Sequence, residues 1–191
     1  ELERVHDTRY LDSIEASEGS PRTVFDADTS ANAHTFRAAA LAAGGALEAA
    51  RAVCSGDAVR PFVLMRPPGH HAERDRAMGF CIFNNAAVAA ADAIAGGCER
   101  VAIVDWDVHH GNGPLPAGSG PGEYLLAFDE VVLPILDRYE PQLLIVSAGF
   151  DGHGNDPLAS MVLDGATYAA MTRRLVAVAD RYADGRIVHL Q

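Results

Sequence analysis

Two carboxylates and two imidazoles fall within six residues of the stretch Asp105-Trp106-Asp107-Val108-His109-His110-Gly111-Asn112-Gly113. The stretch follows directly on the apolar run Val101-Ala102-Ile103-Val104. If the strand written by that run continues, residues 105, 107 and 109 share a face, because side chains alternate along a strand. Asp-x-His on one face is half of a metal site of the kind zinc accepts, and Gly-Asn-Gly predicts a tight turn after it. Two more polar clusters follow apolar runs in the same way. His70-His71 comes after Arg66-Pro67-Pro68-Gly69, and Asp151-Gly152-His153 comes after Ser147-Ala148-Gly149-Phe150.

These residue types suit metal-assisted hydrolysis. Asp107, His109 and Asp151 would supply three ligands and leave a position open for water and substrate. Two carboxylates nearly neutralise a divalent zinc ion, so it acidifies its water less than a site of three imidazoles does, and a separate base is needed. His70 and His71 are the candidates, since imidazole titrates near neutral pH. Asp105 and Asn112 flank the same strand end and are suitable partners to orient them. Each feature has a plainer reading alone. An Asp-x-His pair is often a surface accident, His-His after Pro-Pro-Gly is also a turn, and His153 or Asp156 can simply stabilise a polar loop. Their recurrence after successive strands favours the metal hydrolase.

The elements that must position these groups can be read from periodicity. Residues 1–16 and 33–53 have helical spacing, the second stretch being Ala-rich and stopping near Gly56. Residues 61–65 form a buried-strand run, 66–83 a loop, and 85–95 a helix capped by Asn84 and ended by Gly96-Gly97. Residues 101–105, 143–147 and 186–190 read as further strands. Residues 123–139 read as a helix bent at Pro134, and 164–183 as an amphipathic helix. Ser17 to Asn32 reads as a polar passage. Asp26 and Asp28 within it suit a solvated loop better than a rim receiving a cationic substrate. Continuous apolar strands alternating with helices predict an α/β fold, a parallel sheet with helices on both faces, in a single domain over 1–191. In such sheets, sites form beyond the carboxyl ends of the strands, where all three clusters lie.

The chain has 191 residues, 49% of them hydrophobic, with 15 basic and 26 acidic side chains and a formal net charge of -11. That balance argues against direct nucleic acid binding, which needs a basic cluster to displace counterions. Cys54, Cys81 and Cys98 are odd in number and form no C-x-x-C pair, so a reducing, cytoplasmic compartment is expected. No run of 18 apolar residues suggests a membrane span. Glu1-Leu2-Glu3-Arg4-Val5-His6 reads as part of an element already under way, so the absence of a targeting signal carries little weight.

Four ordered blocks resemble the signature of the histone deacetylase superfamily, in its class II-like and bacterial amidohydrolase branch. They are Arg66-Pro67-Pro68-Gly69-His70-His71-Ala72-Glu73, Gly79-Phe80-Cys81-Ile82-Phe83-Asn84-Asn85, Asp105 through Gly113, and Ser147-Ala148-Gly149-Phe150-Asp151. The resemblance implies the arginase–deacetylase fold and zinc-dependent hydrolysis of an acetylated amine, either acetyl-lysine or a smaller N-acetylated amine. It implies zinc ligation by Asp107, His109 and Asp151, with His70 contacting Asp105 and His71 contacting Asn112. Gly79 and Phe80 match residues lining the channel for the acyl-lysine stem. Asp105, with the backbone carbonyls of Asp107 and His109, matches part of a monovalent cation site usually assigned to potassium.

The sequence departs from the family in three places. It begins after the family's first strand, and it stops at Gln191, just before an expected Glu-Gly-Gly-Tyr block. The tyrosine of that block stabilises charge on the carbonyl oxygen, and none of Tyr10, Tyr124, Tyr139, Tyr168 and Tyr182 occupies that motif. Gly113 also runs into Pro114-Leu115-Pro116, which resembles a segment the family places several tens of residues later, so part of the family's sheet is missing. The expectation is that 113 and 114 are not bonded in the intact protein. A Cα separation of about 3.8 Å between them would count against it. Two other functions compete with the deacetylase: an acetylpolyamine amidohydrolase, and a non-catalytic acyl-lysine binding or scaffold protein. Oligomeric state is not readable from the sequence.

Overall fold

Three strands of a four-stranded parallel sheet lead into the polar clusters. In the computed structural model, residues 1–109, 115–157 and 159–191 are described. A short 3-10 turn, Leu2–Arg4, precedes α1 (Thr8–Glu15), and a small hairpin of β1 (Thr23–Val24) and β2 (Ser30–Ala31) precedes α2 (Thr35–Ser55). Then come β3 (Phe62–Val63), α3 (Asn85–Ala95), β4 (Val101–Asp105), α4 (Pro121–Ala127), α5 (Leu133–Tyr139), β5 (Leu143–Ser147), α6 (Gly165–Tyr182) and β6 (Ile187–Leu190). The strand order is β3-β6-β5-β4, every pair parallel, with Val101 opposite Leu143 and Leu144 opposite Ile187.

Strand alternation sorts the apolar side chains into two cores, as a sheet covered on both faces requires. Leu143, Ile145, Val188 and Leu190 face α2 and α3, meeting Ala46, Ala49, Ala50 and Ala89. Leu144, Val146 and Ile187 face the other way, onto Met171, Leu175 and Val178 of α6 and Leu136 of α5. The Ala-rich faces of α2 and α3 add little bulk, which lets these helices approach the sheet and each other closely. Ile145 is completely buried between the neighbouring strands. Replacing it by Ala is expected to cost about 2–5 kcal/mol, the range for a large aliphatic truncated in a core that cannot collapse. Urea denaturation checks this, and a loss under about 1 kcal/mol would mean that the central strand is less tightly packed than it looks.

The helix ends follow local chemistry. Asn84 accepts a hydrogen bond from the Ala87 N–H at 3.0 Å, capping α3, and the Asp164 carboxylate accepts from the Thr167 N–H at 2.8 Å, capping α6. Gly56 ends α2 in the left-handed region at φ 85°, where glycine carries no Cβ penalty.

Three expectations need correction. The predicted helix over 123–139 is divided into α4 and α5 by a π-helical turn, Phe128–Val132, in which Leu133 N–H donates to the Phe128 carbonyl. Pro134 follows immediately. It has no N–H to give to a carbonyl four residues back, and its ring crowds that carbonyl, so the wider turn relieves both. The passage over 17–32, expected to be loop, contains the β1–β2 hairpin, whose strands are too short to show alternation. The strand expected over 61–65 shrinks to Phe62–Val63, at the edge of the sheet. Among the described residues β4 forms the opposite edge, and Ile103 on it is 45% exposed. Among the described residues, no helix is long and apolar enough to cross a membrane.

Candidate metal centre

β4 ends at Asp105, so residues 105, 107 and 109 are not gathered by strand alternation as the sequence suggested. Trp106 N–H still donates to Ser147 O at 3.3 Å, the last contact with β5. Beyond it the chain turns on its own side chains. Asp107 N–H donates to Asp105 Oδ1 at 2.9 Å, and His109 N–H donates to Asp107 Oδ1 at 2.8 Å. Short carboxylates compete well for backbone N–H groups two residues on, and two such turns in succession end the strand and bring His109 back over Asp107. The loop after β5 is tied in by Asp151, which accepts from Val108 N–H at 3.1 Å and hydrogen-bonds His109 Nδ1.

Asp107, His109 and Asp151 thus offer ligand atoms that all lie within 4.8 Å of one another. Their electrostatics suit a cation. Burial, then the contact with Asp151, push the Asp107 carboxyl up to about 6. Burial also disfavours charge on Asp151, but hydrogen bonds from Asp107, Val108 N–H and His109 outweigh it and hold that carboxyl low. Two carboxyls this close compete for one proton, and a metal ion satisfies both without it. Two oxygens and one imidazole nitrogen form a donor set that zinc accepts with a position left over.

The histidine pair stands beside this triad. His70 Nδ1 is 3.0 Å from Asp105 Oδ2, which leaves its Nε2 3.9 Å from Asp107 Oδ2. The ring of His71 lies 4.0 Å from that of His70, tilted by 42°. Burial opposes protonation of His70. The hydrogen bond to Asp105 and the charges of Asp105, Asp107 and Asp151 favour it more strongly and raise the pKa. Asn112, the expected partner of His71, lies outside the described residues, as does the 113/114 junction.

A cavity of about 470 Å³ opens over the site, lined by Asp26, Asp28, His70, His71, Phe80 and His109 among others. Gly79 lies at the back of His71. A Cβ there would sit 2.4 Å from His71 Cδ2, and its φ of 56° is left-handed, so the position needs glycine twice over. Phe80 is also left-handed, at φ 65°, and 63% exposed. Its N–H donates to Thr29 Oγ1 at 3.2 Å, and Thr29 is held by Asp26 Oδ1 at 2.7 Å. The turn between β1 and β2 therefore braces Phe80, and Asp26 and Asp28 line the cavity rather than a remote loop.

Reading the sequence missed two contributors. Thr29 escaped because its role depends on a hairpin with no periodic signature. Gly149 escaped although it stands two residues before Asp151. A Cβ on it would lie 2.1 Å from Asp107 Oδ2, so only a hydrogen at that place leaves room for the carboxylate.

Comparison with known proteins identifies relatives of this chain. The model of the histone deacetylase domain matches residues 1–113 and 114–191. A protein of Archaeoglobus fulgidus described as a probable deacetylase is 34% identical across 96% of this chain and 63% of its own length. The histone deacetylase-like amidohydrolase of Pseudomonas aeruginosa is 36% identical across 98% of this chain and 61% of its own length. The crystal structure of the HDA15 HD domain superposes with a TM-score of 0.90 at 35% identity, covering 98% of this chain and 65% of that one. The chain therefore spans less than two thirds of the length of these relatives. The first alignment runs over 227 positions, more than the 191 residues present, so that relative carries segments with no counterpart here. With a parallel sheet of this order, the family match over both segments and relatives about a third identical over the aligned residues, the chain belongs to the histone deacetylase family, with its arginase–deacetylase fold.

Proposed function

We propose that this chain carries the catalytic groups of a zinc-dependent deacetylase or amidohydrolase acting on acetylated amines. The observation that supports this most directly is the Asp107–His109–Asp151 triad lying against the His70–Asp105 pair, with Asp107, His109 and His70 lining one cavity. Asp107, His109 and Asp151 would hold the zinc, which when bound supplies Lewis-acid stabilisation of charge developing on the amide oxygen. His70, its Nδ1 committed to Asp105, presents Nε2 toward the triad and can take up a proton from an attacking water there. The adjacent His71, its ring 4.0 Å from that of His70, would return a proton to the departing amine, and the family resemblance assigns Asn112 to orient it. Gly79 leaves His71 its place, and Phe80 forms a wall for an aliphatic stem.

The substrate class is acetyl-lysine or a smaller N-acetylated amine. Asp26 and Asp28 on the wall, with a net charge of -11, favour substrates bearing positive charge over anionic ones. An acetylpolyamine fits the same description and is separated from acetyl-lysine by comparing hydrolysis of a mono-acetylated diamine with that of a peptide reporter. A monovalent cation, potassium by preference, belongs to this reading through Asp105 and the carbonyls of Asp107 and His109.

Zinc analysis combined with release of a fluorogenic acetyl-lysine reporter tests the proposal. Stoichiometric zinc with no turnover would favour a non-catalytic acyl-lysine binding module. Replacing His71 by Ala is expected to lower kcat by roughly 100-fold or more while zinc stays bound, since the residue moves protons and is not a ligand. Loss of zinc from that variant would put His71 in the metal's ligand sphere instead.

A further inference from the structure

The loop over 66–84 carries His70, His71, Gly79 and Phe80, yet no regular element runs through it. Its two arms are fastened by a residue that does not line the cavity. His6, in the turn before α1, is 1% exposed. Its Nδ1 is 2.9 Å from the Glu73 carbonyl on the outgoing arm, and the Asn84 N–H on the returning arm points at its Nε2 from 3.0 Å. A carbonyl can only accept and an N–H can only donate, so the ring is neutral with its proton on Nδ1. Neighbouring contacts reinforce the same junction. Asp7 N–H donates to Arg74 O at 2.9 Å, and Tyr10 OH donates to Ile82 O at 2.6 Å. Asn84 Nδ2 reaches across to Ala72 O at 3.3 Å, next to the histidine pair.

We propose that His6 is a positioning residue for His70 and His71, its neutral imidazole pinning both arms of their loop. The inference rests on the reading of that pair as the proton-transfer groups. The ring packs 5.5 Å from those of Tyr10 and Phe83, so His6 also serves as a wedge, and the two roles must be separated. The pH dependence separates them. Protonation would place an Nε2–H against the Asn84 N–H, donor against donor. The charged neighbours do not offset this. Asp7 is paired with Arg74 at 2.5 Å and Glu73 with Arg76 at 2.6 Å, and backbone groups occupy both ring nitrogens. Burial lowers the pKa of His6 more than the backbone carbonyls beside it raise it. The pin is therefore intact above the ordinary histidine value and is lost as pH falls through the lower value held in the fold.

The test uses the full chain and two substitutions. His6→Phe keeps a ring in the aromatic cluster and removes both hydrogen bonds. His6→Gln keeps one donor and one acceptor and cannot titrate. Turnover of the acetyl-lysine reporter in His6→Phe is expected to fall roughly 10–100-fold in kcat with KM nearly unchanged, because misplacing the groups affects chemistry more than binding. Hydrogen exchange in 66–84 should quicken in that variant while β5 stays protected. His6→Gln should retain more activity and keep its loop protection at acidic pH, where the wild type loses protection once exchange is corrected for the intrinsic rate. Wild-type kcat and loop exchange in His6→Phe would overturn the proposal. So would equal acid sensitivity of loop exchange in wild type and His6→Gln, which still decides the matter if His6→Phe does not fold. A wild-type chain with no turnover would refute the enzymatic reading alone, because loop exchange still reports on the pin.

Discussion

Asp151→Ala is expected to abolish stoichiometric zinc binding, and with it any zinc-dependent turnover. The residue would supply one of three protein ligands, and it also accepts from Val108 N–H and hydrogen-bonds His109 Nδ1. Removing it takes a ligand away and frees the turn that holds a second one. Loss of an outer partner to a metal ligand costs roughly 10–100-fold in affinity, and losing a ligand together with its neighbour's tether should exceed that. The Asp107 carboxyl, raised by burial and by its contact with Asp151, should fall in the variant once that competitor is gone. Zinc analysis after dialysis, read alongside circular dichroism to show that the sheet persists, checks the outcome. Retention of one zinc per chain would show that the ligand set is wrong.

How much of this was legible depended on how local the cause was. The strands at 101–105 and 143–147 are continuous apolar runs whose burial is decided by their own residues. The caps at Asn84 and Asp164 need only a short polar side chain and the next turn of backbone. Grouping Asp107, His109 and Asp151 required only that strand ends of a parallel sheet converge, which the alternation of strands and helices implies. The mechanism of that grouping was misread, because the strand ends at Asp105 and successive side-chain-to-backbone turns replace it. Nothing in periodicity separates a strand that continues from one that stops when its next N–H groups are claimed by neighbouring carboxylates. Thr29 and His6 were out of reach for another reason. Their significance lies in contacts 51 and 78 residues away in sequence, with Phe80 and Asn84.

Gly149→Ala is the sharper test of the centre, because it adds one carbon and removes no functional group. The new Cβ would lie 2.1 Å from Asp107 Oδ2, 2.5 Å from its Cγ and 2.7 Å from its Cβ, all far inside contact distance. Backbone strain is not the issue, since Gly149 is not among the positive-φ glycines. Asp107 has little room to retreat. Its Oδ1 accepts from His109 N–H at 2.8 Å, and His70 Nε2 stands 3.9 Å from its Oδ2. Relief must come from swinging the carboxylate out of the triad or from spreading the loop after β5 away from β4. Either movement separates Asp107 from Asp151. Overpacking of this kind costs about 1–3 kcal/mol of stability, which a domain of this size can survive. Zinc affinity is expected to fall by at least the roughly 10–100-fold seen when a ligand's support is lost. Gly44→Ala provides the control. Nothing lies within 4 Å of a Cβ there, and the site is inside α2, so stability should rise by up to about 1 kcal/mol with zinc affinity unchanged. Isothermal titration of zinc into both variants decides the matter. Wild-type affinity in Gly149→Ala would mean that Asp107 does not need the position it occupies here, and its place in the ligand set would fall with it.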